Sequence, residues 1–180
     1  MPLLVLVVLV VLLVAEAKFD PKDPRVEDRL AIQDLIVQYC HAVDTRNWAQ
    51  YEQIFTPNAW VDYTSNLLGV EGTPKQVAAE LATSLDMFSV TVHQVSNLEI
   101  EFTSPNTARA RAMLYNPMFV VGFPVLPIFT VQGYYHHNLT QTSTGEWKST
   151  GLRENITIKW EHQLVAYLVL LVLFWRTRRR

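Results

Sequence analysis

Cys40 is the only cysteine in 180 residues, so the chain cannot form an internal disulfide and a multi-cysteine metal site is excluded. No Gly-rich phosphate loop, nucleophile elbow or paired-cysteine zinc signature occurs in the sequence, so nucleotide cofactors are not indicated and none of any kind is expected. Internal repeats and low-complexity linkers are also missing. One fold is therefore expected, since this length supports one domain with a real core and is short for two. An excess of basic charge is missing too. Between the apolar ends, sixteen acidic residues stand against eleven basic ones, a balance that disfavours nucleic acid as a partner.

Hydrophobic residues make up 49% of the chain, and the two ends hold unbroken apolar runs without helical amphipathicity. Residues 1–17 combine an apolar stretch with Ala15-Glu16-Ala17, as in the core and cleavage site of a secretory signal peptide, with Lys18 first after cleavage. No Lys or Arg precedes the stretch, so an uncleaved membrane anchor is the other reading. Residues 164–180 form a 12-residue apolar run followed by Arg176-Thr177-Arg178-Arg179-Arg180, a basic flank suited to the cytoplasmic side of a membrane. Twelve helical residues rise only about 18 Å, well short of the ~30 Å of a hydrocarbon core. The tail is thus read either as a membrane attachment or as a segment packed on the domain. Together the ends point to the secretory pathway, secreted or membrane-associated, where Asn138-Leu139-Thr140 and Asn155-Ile156-Thr157 would be glycan acceptors.

Between the ends, apolar positions at Ile32, Ile36, Tyr39, Cys40 and Val43 share one face of a helix from Arg25 to about Val43. Asn47 caps a second helix over 48–55, stopped by Thr56-Pro57-Asn58-Ala59. A short strand is expected over 59–64, turns at Gly69 and Gly72, and a helix over 74–85 with Thr73 as cap and Pro74 in its first turn. From Ser89 onward β-branched and aromatic residues dominate, predicting strands at 89–103, 107–121, 128–141 and 146–160. Helices followed by a run of antiparallel strands indicate an α+β domain with helices on one face of a curved sheet.

Several side chains could carry chemistry. Asp44 falls just past a helix end, where it is either a solvated turn residue or a buried carboxylate with a raised pKa able to exchange protons near neutrality. Alternation places His93 on one strand face with Thr91, Val95 and Asn97, as a satisfied histidine or a proton acceptor. Arg153 follows Trp147 on the last strand and could bind an anionic group or form a rim ion pair. If it enters a cavity, Asn155 does so too, by parity. His136 and His137 face opposite sides of their strand, so they cannot both enter one metal site.

The order and spacing of YCHAVDTRNWAQYEQIFTPNAWVDY, GVEGTPKQVAAEL, TVHQVSN, ARAMLYNPM and GYYHH followed by EWKSTGLRE resemble the SnoaL-like branch of a superfamily. That superfamily includes nuclear transport factor two, ketosteroid isomerase, scytalone dehydratase and bile acid dehydratase. The resemblance covers about residues 25–160. It implies a cone of mostly antiparallel sheet and three N-terminal helices around an apolar cavity, commonly in homodimers or homotrimers, with cofactor-free chemistry on polyketide-, terpenoid- or steroid-like molecules. In the dehydratases of this group a tyrosine, an aspartate five positions on and a strand histidine form the acid/base set, and here these are Tyr39, Asp44 and His93. A late-strand arginine matches Arg153. The second histidine of some dehydratases is missing, with Tyr115 as its nearest substitute.

The expected activity is that of a cofactor-independent lyase or isomerase, with His93 as base, Asp44 orienting it, and Tyr39 or Tyr63 polarising an oxygen. Arg153, Tyr63, Trp60, Tyr115 and Asn97 are the expected substrate-binding residues. The alternative is a hydrophobic-ligand carrier, tethered at a membrane, that transforms nothing. A third possibility is an oligomerisation module with a vestigial cavity.

Overall fold

The computed structural model describes residues 25–66, 69–120 and 129–161. The terminal apolar segments 1–17 and 164–180 lie outside the described residues. No helix among the described residues is long and apolar enough to cross a membrane.

Helix α1 (Val26–Asp44) buries Ile32, Leu35, Ile36, Tyr39, Cys40, Ala42 and Val43 along one face, the stripe that the 3-to-4 spacing predicts. Helix α2 (Trp48–Gln53) starts at Asn47, whose side chain accepts from Gln50 N–H at 3.1 Å. Helix α3 (Pro74–Ser84) opens with a capping box between Thr73 and Gln76 and Pro74 in its first turn, so its start is fixed locally.

The strands are β1 (Phe55–Tyr63), β2 (Val70–Gly72), β3 (Phe88–Thr91), β4 (Gln94–Ser104), β5 (Thr107–Val120), β6 (Phe129–Gln141) and β7 (Trp147–Glu161). They form one curled sheet in the order β2-β1-β7-β6-β5-β3, with β4 also paired to β5. Among the described residues only the β1–β7 pairing is parallel. The α+β cone expected from the sequence is present.

Three departures from the expected elements matter for the site. Strand β1 begins at Phe55, before the expected Ala59, because Phe55 already pairs with Ser149; a register shift between Phe55 and Trp60 absorbs Pro57, which has no N–H to give to a ladder. The strand expected over 89–103 is two strands, β3 and β4, broken at Val92 and His93. Opposite the break stands Pro117, whose carbonyl accepts from Val92 N–H at 3.2 Å but which cannot donate in return. In β7 an extra residue precedes the expected site residues: Ser149 pairs with Leu139 and Gly151 with Asn138, so Thr150 bulges out of the ladder; a second, Thr157, lies beyond them, where Gln132 pairs with Ile158 and Gly133 with Ile156. A bulge of one residue reverses the inward and outward faces of everything after it.

Candidate functional site

The site begins where α1 stops. Arg46 adopts a left-handed backbone, φ 58°, which costs energy for a residue with a Cβ. Its guanidinium compensates by binding the turn to β3: Nη1 donates to Val43 O at 2.7 Å and to Thr91 Oγ1 at 2.9 Å, and Nη2 donates to Leu85 O at 3.3 Å. The turn thus presents the Asp44 carboxylate to the break between β3 and β4.

Asp44 accepts three hydrogen bonds there. Its Oδ1 accepts from Thr91 Oγ1–H at 2.9 Å and faces His93 Nδ1 at 2.5 Å, while its Oδ2 accepts from His93 N–H at 2.8 Å. The backbone bond is available because, among the described residues, the β3–β4 segment pairs on one edge only, with β5: Val92 N–H donates to Pro117 O, so the next N–H along, that of His93, points away from β5 and towards Asp44. Burial by itself raises the Asp44 pKa, but the hydrogen bonds and charge of His93, together with Thr91, outweigh it and hold the carboxyl below its ordinary value. The raised pKa that a buried carboxylate would have is thus overturned: the donors gathered around Asp44 favour its charged form.

An ionised carboxylate only accepts, so Nδ1 of His93 carries the proton and Nε2 is left with its lone pair. Nε2 accepts from Asn116 Nδ2–H at 2.9 Å. The ring stacks on Tyr135 with centroids 6.5 Å apart and contributes to the wall of a cavity of about 200 Å³. A water's share of liquid is ~30 Å³, so this is room for a small organic molecule rather than a packing defect. Leu81, Leu85, Phe88, Met118, Phe129 and Val131 supply the apolar wall.

Tyr39 and Tyr63 also line the cavity, and their hydroxyls hydrogen-bond to each other. Burial, reinforced by neighbouring phenols, pushes both pKa values well above the ordinary tyrosine value. They therefore act as neutral hydrogen-bonding groups, not as bases. Burial likewise pushes the Cys40 thiol up to about 12, which leaves it an inert core residue.

Four expected ligand contacts do not reach the cavity. Arg153 points outward, its side chain 73% exposed, and Nε donates to Asp62 Oδ2 at 2.9 Å. The Thr150 bulge is the cause, since parity counted from Trp147 would have placed Arg153 inside. Trp60 alternates with buried Ala59 and Val61 and is exposed on the other side of β1. Tyr115 is exposed between buried Leu114 and Asn116. Asn97 adopts φ 48° at an irregularity in β4 and is exposed, with Nδ2 3.7 Å from Met113 Sδ. Asn155, in step with Arg153, is exposed as well. His136 is exposed and His137 buried, as alternation requires.

Two polar residues that the sequence reading missed line the cavity instead. Asn116 lines the cavity against His93, and the alternation Ala108, Ala110, Ala112, Leu114 already put it on the apolar face. Glu154 enters the cavity from β7 and accepts from Asn66 Nδ2–H at 2.6 Å. No pattern in the sequence marks Glu154, because its direction depends on the bulge. Among the described residues no cluster of three or more His, Cys, Asp or Glu side chains could hold a metal ion.

The family model described as a SnoaL-like domain matches residues 24–153. Uncharacterized proteins of Mycobacterium tuberculosis and Mycobacterium bovis are 34% identical over 97 residues. That stretch is 54% of this chain and 65% of each relative, so the match covers less than two thirds of their length. Among solved structures, a candidate aromatic ring hydroxylase from Novosphingobium aromaticivorans is 25% identical with a TM-score of 0.64, covering 76% of this chain and 94% of that one. A candidate scytalone dehydratase from the same organism is 20% identical with a TM-score of 0.68, covering 78% and 91%. The hexachlorocyclohexane dehydrochlorinase LinA, type 2, is 21% identical with a TM-score of 0.64, covering 76% and 90%. The last two likenesses show a shared fold.

Proposed function

The chain belongs to the SnoaL-like domain family, and from that premise we propose that it is a cofactor-independent lyase or isomerase acting on a small hydrophobic molecule with a carbonyl group. The observation that carries this reading is the Asp44–His93 pair at 2.5 Å, in which the His93 ring lines an apolar cavity and Asp44 backs it from behind the wall. A carboxylate that fixes one ring nitrogen as a donor leaves the other as a base, and water-poor surroundings favour proton transfer.

In the proposed reaction Nε2 of His93 removes a proton from the carbon next to the carbonyl. The C–H electron pair forms the enolate, whose oxygen is stabilised by the Tyr39 and Tyr63 hydroxyls. Collapse of the enolate expels a β-hydroxyl, which takes the proton from the imidazolium and leaves as water. In a substrate without that leaving group but with a β,γ double bond, the same proton returns to the γ-carbon and the double bond migrates. Either path restores His93 without an outside oxidant or reductant.

The test is to incubate the full chain with a panel of cyclic β-hydroxy ketones and β,γ-unsaturated ketones, following the ultraviolet absorbance of the conjugated enone. Turnover by the wild type, lost in His93→Ala and lowered by about 10²–10⁴-fold in Asp44→Asn, is expected. Undiminished turnover in His93→Ala rejects the assignment.

A second reading has one observation behind it: Nε2 is already covered by Asn116, as suits a cavity that holds a lipophile without transforming it. In that case a co-purified hydrophobic molecule is recovered unchanged after prolonged incubation, and no member of the panel is turned over. The expected membrane tether and the homodimer or homotrimer remain proposals of their own, checked by carbonate extraction and by sedimentation of the full chain.

A further inference from the structure

Asn116 is buried, being only 5% exposed, and its amide is satisfied at one end only. Nδ2–H donates to Nε2 of His93 at 2.9 Å, while Oδ1 has no partner. A buried acceptor without a donor is unfavourable, so the resting arrangement is not the one this amide suits best. The mismatch follows from the tautomer. Asp44 keeps the proton on Nδ1, so Nε2 can only accept, and the amide must offer its NH2.

The matching changes when His93 takes a proton. Nε2 then becomes a donor and can no longer face the NH2. Rotation of the amide by half a turn brings Oδ1, the orphaned acceptor, to the Nε2–H. The same rotation releases the NH2, with two donors, towards the cavity.

We propose that Asn116 is a two-position partner of His93: its amide donates to the neutral ring, turns over to accept from the protonated ring, and then offers its NH2 to the substrate oxygen that has gained negative charge. The second half of this proposal rests on the reaction proposed above; the first half does not. The amide is fully hydrogen-bonded only in the state with a protonated base and an anionic substrate. A group that is better satisfied after proton transfer than before it lowers the barrier between the two. Asn116 is thus a positioning residue for the base in the resting state, and a contact of the reacting oxygen only after proton transfer.

The other titratable and charged groups around this ring are Asp44 and Arg46 from the end of α1, Tyr135 stacked on it from β6, and Tyr39, Tyr63 and Glu154 in the cavity wall. The phenols stay neutral and Asp44 ionised, which leaves the imidazole and Glu154 to be told apart. The His93 ring nitrogens and the Asn116 side-chain NH2 do this directly, because each gives its own nitrogen signal in a magnetic-resonance titration of the full chain.

In the wild type the Asn116 NH2 signals are expected to move with the His93 ring nitrogens through one shared midpoint. Asn116→Leu should change the proton affinity of the ring by less than about threefold, since an amide that serves both states favours neither. Asn116→Asp, an acceptor of the same shape, should raise that affinity by about tenfold or more, because a carboxylate favours the imidazolium. Asn116 signals that stay constant while His93 titrates overturn the proposal. So does a tenfold or greater rise in Asn116→Leu, which would mean a locked donor. The wild-type titration needs no variant to fold and no substrate. A chain that passes it but turns over none of the ketones keeps the two-position amide and loses the proposed reaction; a chain that fails it but is active does the reverse.

Discussion

The backbone N–H of His93 donates to the Asp44 carboxylate at 2.8 Å, and the side chain of the same histidine meets that carboxylate at 2.5 Å. One aspartate therefore fixes both the chain and the ring of a residue on another element. The double attachment is possible because, among the described residues, β3 and β4 have a partner strand on one edge only, β5, and the His93 N–H falls on the other.

Removing that anchor has a structural consequence apart from any chemistry. Asp44→Ala leaves Thr91 Oγ1 and both His93 N–H groups without an acceptor, and an expected loss of about 1–3 kcal/mol follows from orphaned buried donors. Because the folded pKa of Asp44 is depressed, its contribution is present above the unfolded carboxyl value of about 3.9. It is lost as pH falls through the lower folded value. Urea unfolding of wild type and Asp44→Ala should therefore differ at pH 7 and draw closer at strongly acid pH; a constant gap across that range would contradict the assignment.

His137 gives an acid dependence in a separate window. It is buried, and desolvation, helped by the charge of His136, lowers its pKa to about 3. The unfolded chain binds that proton near pH 6.5, so between the two values the unfolded state holds more protons. Stability then falls as pH falls, by up to about 1.4 kcal/mol per pH unit from this group. His137→Gln is expected to flatten the stability profile between about pH 6.5 and 3. An unaltered slope in calorimetry over that range would place the titration elsewhere.

Gly133 is required by close approach of the backbone. A Cβ there would lie 2.1 Å from the Asn155 carbonyl oxygen and 2.8 Å from Ile156 Cα, and neither is a flexible side-chain end. Gly133→Ala should force β6 and β7 apart and cost at least the ~1–3 kcal/mol typical of overpacking, well above the ~0.5 kcal/mol of most surface changes. A melting temperature equal to wild type would show that the strands separate freely.

Arg153 and Glu154 should behave oppositely despite being neighbours. Exposed ion pairs such as Arg153 with Asp62 contribute at most about 1 kcal/mol, so Arg153→Ala is expected to leave stability within that margin and turnover within twofold. Glu154→Leu removes the acceptor of Asn66 and the carboxylate in the cavity wall, and should change both KM and stability. If Arg153→Ala abolishes turnover while Glu154→Leu does not, the bulge at Thr150 is misplaced.

The sequence by itself determined the helices, the four long strand regions, the α+β class and the family. These features arise from local periodicity and caps: the apolar stripe of α1, the Thr73–Gln76 box, and the alternation of β5, which also holds the signal for Asn116, whereas Tyr115 came from the resemblance as the nearest substitute for a second histidine. Tyr39, Asp44 and His93 were legible as an acid/base set through the resemblance, with Asp44 orienting His93. Only the tertiary structure decided that the donors around Asp44 lower its pKa, and that Glu154 rather than Arg153 enters the cavity. The first depends on Thr91 and both N–H groups of His93 converging on one carboxylate, and the second on the extra residue at Thr150. A one-residue change of register leaves the composition and period of a strand unaltered yet exchanges its faces, so it becomes visible only when the neighbouring strand is in place.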